Sequence, residues 1–241
     1  MTPLLIGDTV IPNFGHGSSC ELRNGWFCTE WVQDHWGDTL QPALVQHVEL
    51  SAIAIGIGFA IAFALALVGF RSRLLDPPIG LVSDFLYTIP SLALFQLLIP
   101  LTGITRTTIE IALVSYTLLI LYRNMTEGLR SVPPDAIEAA HGSGFTRQQT
   151  FLKVELPLAL PALFAGLRIA TVSTISIATV AAFVKPEGLG EPIFTALEQD
   201  VFKTEILAAG GLAVALALLA DGLLVLLQRI LTPWSRLERH A

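Results

Sequence analysis

Charge is what this chain is poorest in. Asp, Glu, Lys and Arg make up 14% of its 241 residues, where a soluble domain carries about a quarter. So dilute a charge argues against an ordinary water-exposed surface. No run of lysine or arginine occurs and aromatics stand at 8%, so nucleic-acid binding has no footing. The phosphate-binding pattern G-x-x-x-x-G-K-S/T is missing, so ATP must be held elsewhere and the chain is not expected to be an enzyme. His16, His35, His47, His141 and His240 are scattered without a ligand spacing such as H-E-x-x-H, and neither a metal site nor a bound cofactor is expected. Residues 1–46 lack the cationic start, apolar core and small-residue cleavage site of a secretory signal.

Apolar residues fill the space that charge leaves. They make up 53% of the chain, and the mean hydropathy is +0.65. Stretches near 48–70, 79–100, 107–122, 161–183 and 206–231 approach the roughly 20 residues that cross a bilayer core. Lipid offers backbone amides no partner, so these stretches must be helices. The expected fold is an all-α, polytopic integral membrane protein of about five transmembrane helices. Residues 1–46 form an extracytoplasmic segment, 47–232 the transmembrane domain and 233–241 a cytoplasmic tail. Glycines 56, 58, 69, 166, 210, 211 and 222 are read as small faces that let helices pack closely.

Basic residues orient the bundle. With the N-terminus outside and the C-terminus in the cytoplasm, Arg71, Arg73, Arg123, Arg130, Arg147, Lys153, Arg168, Arg229, Arg236 and Arg239 lie at or near the inner side. Only Arg23, Arg106, Lys185 and Lys203 lie outside. Ten against four is a positive-inside bias.

One polar, cationic stretch interrupts the apolar pattern, at about 128–160. Asp135 is placed to cap a short helix over 135–141, Gly142 and Gly144 to break it, and a second helix follows through Phe151 and Val154. Pro157 and Pro161 are read as setting the angle of re-entry into the membrane. The segment EAAHGSGFTRQQTFLKVELP combines Glu138-Ala139-Ala140, Gly144, Val154 and Leu156-Pro157 at a long fixed spacing. It resembles the EAA loop of the ABC importer permeases. The resemblance implies that Glu138, Ala139, Ala140 and Gly144, with Val154, Leu156 and Pro157 completing the motif, dock and couple to an ATPase partner.

A second resemblance narrows the solute. YTIPSLALFQLLIPLTG, from Tyr87 to Gly103, and the sequences flanking the loop are similar to permeases for glycine betaine, carnitine, choline and proline betaine. What this implies is a type I importer of the methionine-permease-like fold in a bacterial inner membrane. Two permease chains, identical or homologous, would form the path. Two subunits would bind ATP and Mg, and an extracytoplasmic binding protein would deliver the solute. The alternatives are an ABC permease for another small solute, such as an amino acid, and a non-transporting membrane scaffold or sensor.

Candidate residues of the path or gate follow. Tyr87, Pro90 and Ser91 lie in the second-span signature, Tyr116 in the third span, and the hydroxyls of Thr171 and Ser173 in the fourth. Gly188 and Gly190 belong to an outer KPEGLGEP sequence, which departs from the family's usual glycine-rich run. Arg168 and Asp221 would each be costly alone in lipid, so a pair or a shared polar cavity in the inner half is expected. Trp26, Trp31 and Trp36 suit the outer interface. Cys20 and Cys28 sit close enough in sequence to close a small disulfide loop in an oxidising compartment.

Overall fold

The structure is a computed structural model that describes residues 24–198 and 201–234. Its regular elements are helices: α1 (Thr29–Asp34), α2 (Gln41–Arg71), α3 (Asp76–Thr88), α4 (Ser91–Thr102), α5 (Arg106–Arg130), α6 (Pro134–Gly142), α7 (Arg147–Thr150), α8 (Leu156–Ala181), α9 (Gly190–Glu198) and α10 (Lys203–Leu231). Two π turns, Trp36–Leu40 and Phe151–Glu155, run directly into α2 and α8. The end of the bundle that carries α6 and α7 is called here the loop end, and the opposite one the far end.

Three helices are long and apolar enough to cross a membrane, four if the bent pair of α3 and α4 counts as one. The remaining long helix, α5, has the length but not the composition: Glu110, Arg123 and several threonines dilute its apolar run. It nevertheless forms the centre. Ile109 and Leu113 in its far half pack with Leu50 and Phe95, and Leu121 and Met125 in its loop half with Ala62 and Leu163. Buried Thr117 and Thr126 donate to carbonyls of their own helix, at 2.7 Å each, so burying them leaves no donor stranded.

Glycine lets the neighbours approach α5. A Cβ on Gly58 of α2 would stand 1.9 Å from the Thr117 Oγ1, and one on Gly166 of α8 would stand 2.4 Å from the Asn124 Cβ. Gly69 faces the Tyr122 hydroxyl in the same way. The other glycines read as packing faces behave differently: Gly56, Gly210, Gly211 and Gly222 have nothing within 4 Å of an added Cβ. Gly56, Gly211 and Gly222 are exposed and Gly210 is half-buried, so only part of that set serves close helix packing.

The second span is not the continuous helix that its apolar run suggests. It breaks at Ile89-Pro90, and α3 and α4 meet at 101°. Pro90 has no N–H to donate and forces the preceding Ile89 into extended backbone (φ −69°, ψ 126°). The fourth span also differs. Residues 147–181 form a single 35-residue helical run, so Pro157 and Pro161 lie within it rather than at a bend. Both π turns end two residues before a proline, Pro42 or Pro157. The wider winding accommodates a ring that would otherwise press on the carbonyl four residues back.

At the far end the N-terminal segment folds onto α10. Trp31 is buried against Phe202, with ring centroids 5.3 Å apart. The Asn24 side chain accepts from the Lys203 N–H and donates to the Val201 carbonyl. Trp26 and Trp36 remain exposed as an interfacial belt requires, whereas Trp31 is a core residue of this corner. Cys28 is buried and disulfide-bonded. Its expected partner, Cys20, lies outside the described residues.

Candidate functional site

The loop motif folds into a short rigid peg. Helix α6 starts at Pro134, with Pro133 as its N-cap. Asp135 therefore sits in the first turn, where it complements the helix dipole instead of capping as its type suggested. At the other end the Gly144 N–H donates to the His141 carbonyl (2.9 Å), and the Phe145 N–H to the Ala140 carbonyl (3.0 Å). This pair of bonds is a Schellman ending, which needs a left-handed residue at its turn. Gly144 supplies it at φ +79°, where a side chain would be strained. Gly142 is the last helical residue, so the break is made by Gly144 alone.

The chain restarts with equal definition. Thr146 and Gln149 form a reciprocal capping box at the start of α7, satisfying two amides that would otherwise be orphaned. The Lys153 ammonium lies 5.4 Å from the Phe145 ring, and the Arg71 guanidinium 5.9 Å from the Phe151 ring, closing the corner and tying it to α2. Within the motif, Glu138 and Ala139 are exposed and Ala140 is buried. Gly144 is exposed, while Val154, Leu156 and Pro157 are half-buried. Leu156 packs against the loop-half core. The motif thus divides into an exposed face on α6 and a half-buried anchor, separated by the turn at 143–146, and from Arg147 the helical winding continues unbroken to Ala181.

A second constellation lies at the break in the second span. The Tyr116 hydroxyl donates to the Ile89 carbonyl, a group left without a helical partner at the end of α3. Tyr87 meets the Tyr116 ring edge-on, with centroids 6.0 Å apart. Pro90 caps α4 and Ser91 opens it. Four residues singled out in the sequence are therefore neighbours, grouped by the kink that the sequence reading omitted.

At the far end, Gly188 and Gly190 are locked into the bundle. The Gln46 side chain accepts from the Gly188 N–H at 3.0 Å, and His47 Nδ1 accepts from the Leu189 N–H at 3.2 Å. With Nδ1 accepting, the proton belongs on Nε2, which faces the Ile175 carbonyl at 3.0 Å. Gly188 has φ +73°, and a Cβ on Gly190 would stand 1.9 Å from the Thr179 carbonyl oxygen. Beside them, Arg106 pairs with Glu49 and Glu187 at 3.3 Å each and with Glu110 at 3.5 Å; Lys185 holds Glu187 at 2.7 Å. Neither His47 nor Arg106 stood out in the sequence. The spacing of Arg106 and Glu110 fits an i,i+4 pair, but the contacts from α2 were hidden by distance along the chain.

Arg168 and Asp221 form a two-pronged ion pair, Nε to Oδ1 at 2.7 Å and Nη2 to Oδ2 at 2.9 Å. Arg168 is the thirteenth of the 26 residues of α8, at mid-helix. Each charge is about one-third exposed on the surface between α8 and α10, and pairing neutralises both. Thr171 is buried with its hydroxyl oxygen unpartnered, and Ser173 is half-buried one turn beyond Arg168. Among the described residues no group of three or more His, Cys, Asp or Glu side chains could hold a metal ion.

Comparisons with known proteins agree with this architecture. Residues 52–236 match the family described as the inner membrane component of binding-protein-dependent transport systems. The choline transport system permease protein of Bacillus subtilis is 33% identical over 205 residues, covering 85% of this chain and 93% of that one. An osmoprotectant import permease protein of Salmonella typhimurium is 37% identical over 194 residues, covering 78% and 89%. In fold, an inward-facing conformation of the methionine ABC transporter superposes with a TM-score of 0.74 at 20% identity, covering 83% of this chain and 98% of that one. With its exposed peg, kinked second span and central polar helix, the chain has the methionine-permease fold, and by sequence it belongs to the family of inner membrane components, or permeases, of binding-protein-dependent transport systems.

Proposed function

We propose that this chain imports quaternary-ammonium osmoprotectants of the glycine betaine, carnitine and choline class. The observation that carries the transport mechanism is the peg: α6 ends in the Gly144 turn, and α7, packed against it, opens the uninterrupted 35-residue helical run from Arg147 to Ala181. Two ATP-binding subunits, holding ATP and Mg, grip the exposed Glu138 and Ala139 faces on two permease chains, identical or homologous. Their closure turns the peg, and a continuous helix passes that rotation to the membrane interior as a tilt. The path then alternates between outward and inward openings, a population shift between two packings. An extracytoplasmic binding protein delivers the solute at the far end. The positive-inside bias supports placing the N-terminus outside and the peg in the cytoplasm of a bacterial cell. The names of the relatives support the solute class.

The test is ATP-dependent uptake of labelled glycine betaine by proteoliposomes holding this chain with its ATPase and binding-protein partners. Uptake that unlabelled carnitine or choline competes away supports the reading. ATP hydrolysis stimulated only by an amino acid or another solute would keep the importer and overturn the solute. Gly144→Asp is expected to insert normally yet lose roughly tenfold or more of its uptake. Full uptake by that variant would remove the peg from the mechanism.

A further inference from the structure

The face where α3 meets α5 carries a polar seam that neither the loop motif nor the family match accounts for. On α5, Tyr116, Arg123 and Arg130 recur every seven residues, which places them on one side of the helix. On α3, Asp76, Gly80, Asp84 and Tyr87 recur at four, four and three, so they too share a side. The two stripes face each other rung by rung. Tyr87 against Tyr116 makes the rung at the kink. Next comes Asp84, which accepts from Arg123 Nε at 3.1 Å and also from its Nη2. Asp76 makes the rung at the loop end, accepting from the Tyr122 hydroxyl at 2.6 Å and pairing with Arg130 at 2.9 Å.

The lower two rungs line a cavity of about 620 Å³, with Gly80 and Glu127 also in its walls. It is open to approach: the Arg123 side chain is 61% exposed and that of Asp84 35%. A guanidinium has five N–H donors, and the fork to Asp84 uses two of them. Each Asp84 oxygen keeps a free lone pair. Asp76 and Asp84 on the α3 wall meet guanidiniums with spare donors on the α5 wall, where Glu127 adds a third carboxylate, so both signs of charge line the cavity. The natural complement is a small molecule that itself carries both charges. Its ammonium end would face Asp84, Asp76 and the tyrosine rings, which also attract cations, and its carboxylate would face Arg123 and Arg130. A bare cation gains only half of this and meets both arginines.

We propose that this α3–α5 seam is a transit site for a small zwitterion bearing a quaternary ammonium and a carboxylate, leading from the Tyr87–Tyr116 rung to the loop end. The inference rests on the importer reading above and sharpens it: the permease itself prefers betaines and carnitine to choline.

The complete importer in proteoliposomes tests it, with glycine betaine and choline uptake measured side by side. In Arg123→Gln, glycine betaine uptake should fall by roughly tenfold more than choline uptake. The exchanged pair Asp84→Arg, Arg123→Asp restores an interhelical ion pair with reversed polarity. It should recover the melting temperature lost in the single variant but not the glycine betaine uptake. Recovery of uptake along with stability would reduce the seam to a structural clamp, covered by lipid or a second permease copy. Equal loss for the two solutes in Arg123→Gln would overturn it too. If the wild-type importer moves none of these solutes, the osmoprotectant reading falls and takes this inference with it, an outcome distinct from the other two.

Discussion

Helices α5 and α10 are close in length, 25 and 29 residues, yet each occupies the place that the other's composition would suggest in a soluble protein. The run of α10 is almost purely apolar, and only 6% of its most apolar window is buried within the chain. Helix α5 carries Glu110, Arg123, Glu127 and a set of threonines, and it is enclosed by α2, α3 and α8. In water the apolar helix would be the buried one. In lipid the apolar tails surrounding a helix are as apolar as leucine, so burial brings no hydrophobic gain. What the interior rewards is close approach and satisfied polar groups. Gly58, Gly69 and Gly166 provide the first, and the threonines that bond within α5 provide the second.

This contrast can be broken by substitution. The largest difference is expected between Leu121→Ala, which empties a fully buried site on α5, and Leu223→Ala, which shortens an exposed side chain on α10. The first should cost about 2–5 kcal/mol and the second no more than about 0.5 kcal/mol, read as thermal melting in detergent. Next comes a pair of glycines. Gly166→Leu forces a side chain into Asn124 and should cost roughly 1–3 kcal/mol through overpacking, lowering the yield of folded protein. Gly222→Leu enters open space and should leave the yield unchanged. Equal losses at the two glycines would mean that α10 is packed against something of comparable tightness, as a second permease chain would provide.

The smallest effect is expected where the two environments meet. Asp221 on α10 is tied to Arg168 on α8, with both groups partly exposed. Asp221→Asn leaves the guanidinium without its counter-charge and should lower the melting temperature. The double replacement Arg168→Met, Asp221→Leu should regain most of that loss, because an apolar pair suits the surroundings as well as an ion pair does. A double variant no more stable than the single one would show that the pair's geometry is needed for more than neutrality.

Much of this was legible along the chain. The apolar runs located the first, fourth and fifth long helices and placed their C-terminal ends within two residues, because length and apolarity are set locally. The first and fourth helices, however, begin 12 and 14 residues before their apolar runs. The loop motif pointed to Gly144, and the reason is local as well: a helix ending with a left-handed residue needs glycine there. Other features were misread where neighbours decide. Pro90 was visible, but its kink depends on Tyr116 taking up the carbonyl that the break releases. Pro157 read as a bend, yet the π turn before it absorbs the ring and the helical run continues through it to Ala181. Trp31 read as an interfacial anchor and is instead a buried contact of Phe202.

By itself the sequence determined that the chain enters lipid, that its long elements are helices, and that a glycine-ended peg interrupts them. Each of these follows from constraints acting within a few residues: backbone amides that lipid leaves unsatisfied, and a dihedral angle only glycine adopts cheaply. The tertiary structure alone decided which glycines touch a neighbour, that Arg106 meets the distant Glu49 and Glu187, and that the stripes of α3 and α5 close into one seam. Those depend on which helix faces which. In a bilayer that choice is made by fit between surfaces remote in sequence, because hydropathy no longer separates inside from outside.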